Sequence, residues 1–113
     1  MHDQQGVVYL VHFAWPWKHA GHYLGYSSLR RPGWKMRALG LLSRYEARLY
    51  HHRQGTGSRL MAVIQAAGIP WHVSRLWTGV TRDFERRLKN RHGASRFCPA
   101  CKANAGAPAP QAA

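Results

Sequence analysis

Residues 6–13 (GVVYLVHF) are mostly β-branched and aromatic, a composition that predicts a buried β-strand near the start of the chain. Residues 14–21 contain proline and glycine, which are turn signals, and we expect a hairpin connection there. Residues 22–27 (HYLGYS) predict a second strand, and the alternating segment at residues 70–77 (PWHVSRLW) predicts a third. The chain can therefore build a small sheet from these strands.

Other segments show the apolar spacing of amphipathic helices. In residues 43–53, Ser43 can cap a helix and Glu46 follows at the position that completes a capping box. Residues 58–67 carry apolar side chains at i, i+3, i+4 and i+7, and the glycine that follows is expected to end this helix. A further apolar stripe predicts a helix over residues 80–92.

These elements follow the order β-β-α-α-β-α, which predicts an α+β fold with helices flanking a small three-stranded antiparallel sheet. The length of 113 residues suits one small domain, which we expect to occupy residues 1–102. We interpret residues 28–42 as a connection with a turn and a short helix near residues 36–42. Residues 103–113 are rich in Ala, Pro and Gly, and we interpret them as a disordered tail.

The chain carries 17 Lys and Arg side chains against four carboxylates, a formal charge of +13. So large an imbalance indicates a polyanionic partner, and nucleic acid held through its phosphates is the expected one. Asp83 and Glu85 nevertheless lie inside a basic run at residues 82–91. An acid among phosphate-binding cations is expected where a divalent metal must lie beside a phosphate. The alternative for Glu85 is a helical ion pair with Lys89.

The apolar segments are shorter than a transmembrane helix requires, and the first residues do not form the apolar segment of a secretion signal. Cys98 and Cys101 are the two cysteines, and their spacing does not indicate a disulfide framework. We therefore expect a cytoplasmic protein with no membrane partner.

Five side chains could supply the chemistry of a phosphodiesterase. Tyr9 and Tyr23 lie in the first two predicted strands. Arg48 and His52 are four residues apart and hence on one face of a helix, and Glu85 lies on the last predicted helix. Phosphodiester hydrolysis needs a cation for the phosphate, a carboxylate for a divalent metal, and a hydroxyl or imidazole near the attacking water.

With these residues in this order, the chain resembles a GIY-YIG nuclease domain of the short bacterial and phage type over most of its length. The family carries GIY on its first strand, here VVY at residues 7–9, and YIG on its second, here YLG at residues 23–25. An Arg-x-x-x-His on the next helix corresponds to Arg48 and His52, and a later metal-binding glutamate corresponds to Glu85.

The resemblance implies a metal-dependent endonuclease that hydrolyses DNA in double-stranded or branched form. Glu85 would bind one Mg²⁺ or Mn²⁺, and Arg48 would hold and polarise the phosphate. Tyr9 would position or deprotonate the attacking water with help from His52. Tyr23 would donate to the phosphate or orient that water.

The chain departs from the family pattern at three places. Val7 replaces the glycine of GIY, and the insert at residues 28–42 separates the second strand from the Arg/His helix. The family's usual asparagine is missing from the window at residues 97–100. These departures leave a second hypothesis open, a non-catalytic nucleic-acid-binding protein on the same fold.

Each residue of the predicted site also has a structural alternative. Tyr9 and Tyr23 can pack as strand tyrosines, Arg48 can be a plain phosphate clamp, and His52 can bind helix carbonyls. For contacts with the nucleic-acid backbone we select eight cations on the insert and the helices. These are Arg30, Arg31, Lys35, Arg37, Arg44, Arg53, Arg59 and Lys89.

Cys98 and Cys101 have the C-x-x-C spacing of half a zinc site. A complete site needs four ligands, and His92 is the one further candidate that lies close in sequence. Two chains that share one metal could supply the missing ligands. Two interpretations are possible: a structural Zn²⁺ site, or two small core residues that close the domain. We favour the second. A zinc-stabilised basic module that binds structured RNA is the remaining alternative.

Overall fold

A computed structural model describes residues 5–91 and 94–104 of the chain. The elements in chain order are β1 (Gly6–Trp17), β2 (Ala20–Ser28), α1 (Trp34–Ala38), α2 (Arg44–Gln54), α3 (Arg59–Ala66), β3 (Trp71–Val80), α4 (Arg82–Asn90), a 3₁₀ helix (Ala94–Phe97) and α5 (Pro99–Asn104). The strands form one antiparallel sheet in the order β2-β1-β3. The predicted α+β fold with a three-stranded antiparallel sheet is therefore confirmed.

One face of the central strand β1 packs against α2 and α3. Successive residues of a strand point to opposite faces of the sheet, so Tyr9, Val11 and Phe13 share a face. They form a buried core with Met61 and Ile64 of α3. Apolar burial on this face fixes α3, and with it the neighbouring helix α2, over the tyrosine of β1.

The opposite face of the sheet is covered by α4. Val8 of β1 pairs with Tyr26 of β2 and with Trp77 of β3, and cross-strand partners share a face. Phe84 makes an edge-on ring contact with Trp77, and the Arg82 guanidinium lies over the Tyr26 ring. The helix that carries Phe84 and Arg82 is therefore on the side of the sheet away from α2 and α3.

All three strands are longer than the sequence predicts. β1 continues through Pro16 to Trp17, so the connection predicted over residues 14–21 shrinks to a tight turn that contains Lys18 at φ +52°. The pairing of β1 with β2 becomes irregular after His12. Proline cannot donate a ladder hydrogen bond, and it is tolerated at this irregular end of the hairpin.

Hydroxyl side chains cap the helices that carry the predicted site. Ser43, Ser58 and Thr81 each accept a hydrogen bond from a backbone N–H in the first turn of α2, α3 and α4. The capping box predicted for α2 forms only in part. The Glu46 N–H donates to Ser43, but the Glu46 carboxylate accepts from the N–H of Leu42, at 2.6 Å, instead of that of Ser43. Leu42 precedes the helix, and its N–H offers the carboxylate an alternative donor.

The short helices differ from the prediction in position and in number. The short helix of the insert, α1, begins two residues earlier than predicted, and the 3₁₀ helix and α5 follow α4. α5 extends to Asn104, inside the segment predicted as a tail, whereas His92 and residues 105–113 lie outside the described residues. No described helix combines the length and the apolar character of a membrane span.

Candidate functional site

Four of the five residues of the predicted site meet at one place. Tyr9 comes from β1, Tyr23 from β2, and Arg48 and His52 from one face of α2. The two tyrosine rings lie 6.2 Å apart, and the His52 ring lies 6.0 Å from that of Tyr9 and 5.3 Å from that of Tyr23. We call Tyr9, Tyr23, Arg48 and His52 the tyrosine–arginine cluster.

Hydrogen bonds connect the members of this cluster in a fixed order. The Tyr9 hydroxyl lies 2.8 Å from Nε2 of His52. Arg48 donates from Nε to the Tyr9 hydroxyl at 3.3 Å and from Nη2 to the Tyr23 hydroxyl at 3.4 Å. Because Tyr9 accepts from Arg48, its own O–H proton is free to be donated to His52. The two tyrosines therefore hold one edge of the guanidinium in place.

Two glycines leave the space that this arrangement needs. Gly25 is the cross-strand partner of Tyr9, and a Cβ at Gly25 would overlap the phenol ring and hydroxyl of Tyr9. Gly57, in the loop after α2, has the same relation to the His52 ring. The glycine of the YLG tripeptide is thus required because a side chain there would displace the tyrosine of the neighbouring strand.

Burial makes the inner part of the cluster uncharged at neutral pH. Tyr9 and His52 have no exposed surface. Burial, together with the charges of Arg48 and His51, lowers the pKa of His52 to about 4. Burial and the neighbouring Tyr23 raise the pKa of Tyr9 despite the opposing effect of Arg48. Nδ1 of His52 has no hydrogen-bond partner among the described residues, so no acceptor there supports the charged form.

The depressed pKa of His52 predicts a specific pH dependence. We expect the His52 imidazole to titrate near pH 4 in the folded protein, against about 6.5 in an unfolded chain. Protonation is then favoured in the unfolded state, so the contribution of His52 to stability is complete above pH 6.5 and is lost as the pH falls toward 4. The loss amounts to about 3 kcal/mol. Two-dimensional NMR of the imidazole nitrogens measures this pKa, and an ordinary value for His52 would contradict the buried, neutral assignment.

Arg48 also faces an open groove of about 680 Å³. The walls of this groove come from the end of β2, the insert, α2 and the start of α4. Arg44, Arg48 and Arg82 contribute three guanidinium groups to it, and none of its lining residues is acidic. The insert supplies Pro32 and Met36, so it forms one wall of what we call the basic groove.

Glu85, the fifth predicted residue, lies on α4 in one row with Arg82 and Lys89, because residues three and four apart share a helix face. Arg82 lines the basic groove together with Arg48, and Lys89 lines a smaller cavity together with Tyr23. The Glu85 side chain is 13% exposed, and its carboxylate lies 3.7 Å from Nζ of Lys89. The predicted helical ion pair is therefore present. Within the described residues, no hydrogen bond or ion pair joins this carboxylate to the tyrosine–arginine cluster.

The eight cations selected for backbone contact are spread over the surface. Arg44 lies in the basic groove and donates from Nε to the Arg31 carbonyl at 3.1 Å. Arg53 instead lies over the Trp71 ring, at 5.2 Å, and lines a different cavity. Lys89 pairs with Glu85. The other selected side chains are exposed: Arg30, Arg31, Lys35, Arg37 and Arg59.

Arg82 belongs to the basic groove although the sequence analysis did not select it. The signal was its place at the start of α4, three residues before Glu85, which puts both on one face. Its guanidinium stacks 5.2 Å from the centre of the Tyr26 ring and is thereby held at the groove.

A second group of side chains lies on the face of the sheet that α4 covers. His12, His22, Cys98 and Cys101 each present one ligand atom, and these four atoms lie within 4.8 Å of one another. This Cys–His cluster could hold a metal ion. The C-x-x-C spacing indicated the two cysteines, whereas both histidines were missed because they come from a hairpin far away in sequence.

In comparisons with known proteins, no family model, no curated protein and no solved structure matches the chain.

Proposed function

We propose that this chain is a divalent-metal-dependent endonuclease that hydrolyses DNA phosphodiester bonds at a GIY-YIG-type site. The observation that carries the proposal is the double contact of Arg48. Its guanidinium is held by two tyrosine hydroxyls and also lines a groove with two further arginines. A guanidinium has five N–H donors. The tyrosines use two of them, so the others remain for phosphate oxygens.

The basic groove fits a DNA backbone better than it fits a small anion. It is open, it carries guanidinium groups from two separate helices, and guanidinium forks match phosphate oxygens in pairs. Contacts of this kind fix the position of the backbone and carry no base sequence. We therefore expect cleavage of double-stranded or branched DNA with little sequence preference, and an affinity that falls steeply with salt.

In hydrolysis a water oxygen forms a bond to phosphorus while an ester P–O bond breaks. The attacking water loses a proton, and the leaving alkoxide gains one. Arg48 stabilises the negative charge that develops on the phosphate oxygens. Tyr23 is the tyrosine of the cluster that is only partly buried, so we assign it to contact with the phosphate or orientation of the water.

Tyr9 and His52 act behind Arg48 in this proposal. The family resemblance implies that Tyr9 contacts the attacking water. Neither Tyr9 nor His52 has exposed surface, so Tyr9 does not reach that water in this conformation. Its hydroxyl instead fixes the guanidinium and donates its own hydrogen bond to neutral His52. Tyr9 and His52 are therefore positioning residues.

Glu85 fits the role of carboxylate ligand for Mg²⁺ or Mn²⁺. Mg²⁺ is usually bound by one or two carboxylates together with substrate phosphates, so a single, largely buried acid on the same helix face as Arg82 of the basic groove is a suitable donor. When bound, the ion would neutralise charge on the phosphate and on the leaving oxygen. Glu85 must first separate from Lys89, and that weak, partly exposed pair is easily broken.

The decisive experiment is cleavage of supercoiled plasmid DNA with Mg²⁺ or Mn²⁺. We expect the wild-type protein to nick the plasmid and the Glu85→Gln variant to lose at least about 10²-fold in rate, because the carboxylate that holds the metal is gone. Its affinity for DNA in the absence of metal should stay within about threefold, because the substitution removes a negative charge from a positively charged surface.

The matched control is Asp83→Asn. Asp83 lies on the same helix and pairs with Arg87 at 3.0 Å, but its side chain is 51% exposed. This variant should cleave like the wild type. Equal losses in the two variants would mean that removal of any acid on α4 is harmful, and the metal role of Glu85 would be withdrawn.

The second candidate function is nucleic-acid binding without catalysis. The observation that favours it is the ion pair between Glu85 and Lys89, which gives the acid a structural role. A wild-type protein that binds plasmid DNA tightly but does not nick it with either metal would establish this candidate over the nuclease.

A further inference from the structure

The Cys–His cluster brings together three separate parts of the chain. His12 of β1 and His22 of β2 are direct cross-strand partners, so their side chains share a face of the hairpin. Cys98 follows the 3₁₀ helix, and Cys101 lies in the first turn of α5. The hairpin and the C-terminal helices therefore meet at four potential ligand atoms.

Four of the six distances between these ligand atoms are close to those of tetrahedral coordination. With Zn–N near 2.05 Å and Zn–S near 2.3 Å, a tetrahedral ion separates two nitrogens by about 3.4 Å and a nitrogen from a sulfur by about 3.6 Å. Nδ1 of His12 and Nε2 of His22 are 3.3 Å apart. Sγ of Cys98 lies 3.3 Å from Nδ1 of His12. Sγ of Cys101 lies 3.6 Å from Nδ1 of His12 and 3.2 Å from Nε2 of His22.

We propose that His12, His22, Cys98 and Cys101 bind one zinc ion. Two thiolates and two imidazoles are a donor set that Zn²⁺ takes in structural sites, whereas Mg²⁺ and Mn²⁺ prefer oxygen ligands. Four protein ligands leave no open position for water, so the ion has a structural task. Binding replaces the two thiol protons, which are released to solvent.

The surroundings of the site support a metal over a redox-active cysteine pair. A C-x-x-C motif can also serve in thiol–disulfide exchange, but exchange needs an accessible thiol. Cys98 has no exposed surface. The Ser74 hydroxyl lies 3.2 Å from Sγ of Cys98, in a position to donate a hydrogen bond to a metal-bound thiolate. Ser74 lies where the pairing of β1 with β3 shifts register, between the partners of Leu10 and Val11.

The zinc ion would close a large loop of the chain. It joins strands β1 and β2 to residues that follow α4, and so it ties down the C-terminal end of the helix that carries Glu85. The inference does not depend on the proposed function, since a binding protein without catalytic activity would need the same support.

The test is the metal content of the protein purified from zinc-supplemented medium, together with cobalt substitution. We expect one equivalent of zinc per chain, and a Co²⁺ derivative with thiolate charge-transfer bands and the intense visible bands of a tetrahedral site. Cys101→Ser and His22→Gln should each lose the bound metal, or retain it at least about tenfold more weakly. The control is His19→Gln, because His19 is exposed in the same hairpin outside the cluster, and it should keep the full equivalent.

A measurement on the wild-type protein covers the case in which the variants do not fold. Removal of zinc with a chelator should lower the melting temperature by more than about 10 °C, and added Zn²⁺ should restore it. A wild-type protein that carries no stoichiometric zinc, gives no tetrahedral Co²⁺ spectrum and melts at the same temperature with chelator would overturn the proposal. A disulfide between Cys98 and Cys101 in the protein purified without oxidant would overturn it as well.

Discussion

Replacement of Arg48 by leucine is expected to reduce the rate of plasmid cleavage by at least about 10³-fold at saturating DNA. Leucine keeps much of the apolar volume of the arginine stem but removes every donor to the phosphate. It also leaves the Tyr9 and Tyr23 hydroxyls without the group that both of them contact. The loss should appear in the turnover rate, because a charge that develops in the transition state is no longer stabilised.

The matched control is Arg44→Leu, one helical turn earlier on α2 and in the same basic groove. Arg44 contacts the Arg31 carbonyl and has no bond to the tyrosine–arginine cluster among the described contacts. Its loss should weaken DNA binding and reduce the salt dependence by about one unit of slope, while turnover at saturation stays within about threefold. Equal losses of turnover for Arg44→Leu and Arg48→Leu would reduce Arg48 to a plain phosphate clamp.

The Gly25→Ala substitution is expected to destabilise the fold by about 3 kcal/mol. A Cβ at this position would overlap the phenol of Tyr9, which is itself fully buried between the sheet and α2. Tyr9 must then shift in a packed core, and its contacts with Arg48 and His52 are lost. Urea denaturation followed by circular dichroism measures the change in the free energy of unfolding.

Gly21→Ala provides the comparison on the same strand. A Cβ at Gly21 would meet no atom within 4 Å, so the free energy of unfolding should change by no more than about 0.5 kcal/mol. Cleavage should also be retained. If the two alanine variants had the same denaturation midpoint, the close approach between Gly25 and Tyr9 would not exist in solution.

Local sequence signals were sufficient for most of the fold. β-branched and aromatic runs located the strands, and Ser43 marked a helix start that the structure confirms. Gly68, at φ +71°, stands just past the end of α3 as predicted. The strand ends were less predictable, because pairing with a neighbour extends a strand through residues such as Pro16 that otherwise favour a turn.

The candidate site was only partly visible in the sequence. Arg48 and His52 share a helix face however the helix packs in the fold, so the i, i+4 spacing predicted their proximity. Their meeting with Tyr9 and Tyr23 depends on which face of the sheet receives α2, which local spacing does not determine. The family resemblance implied that these four residues share one site, and in the structure hydrogen bonds join Tyr9 to His52 and Arg48 to both tyrosines.

The Cys–His cluster shows what sequence proximity misses. His92 was the nearest histidine to Cys98 and Cys101, but the imidazoles that face the two thiols belong to His12 and His22. They become neighbours of the thiols only through strand register and through the return of the chain after α4. Two histidines that face each other across a predicted hairpin, on the face opposite the core, are the signal that could have been used.

The central claim is that the Glu85 carboxylate and the Arg48 guanidinium can act on the same phosphate. Paramagnetic broadening by Mn²⁺ tests it directly. The wild-type protein is bound to a short DNA duplex whose phosphorothioate backbone resists cleavage, and Mn²⁺ is then added. The proposed function predicts strong broadening of the Arg48 Nε–H and Tyr23 ring signals, which disappears in Glu85→Gln and persists in Asp83→Asn. Broadening that avoids Arg48, or that is unchanged in Glu85→Gln, would contradict a hydrolytic centre and leave a basic protein that binds DNA.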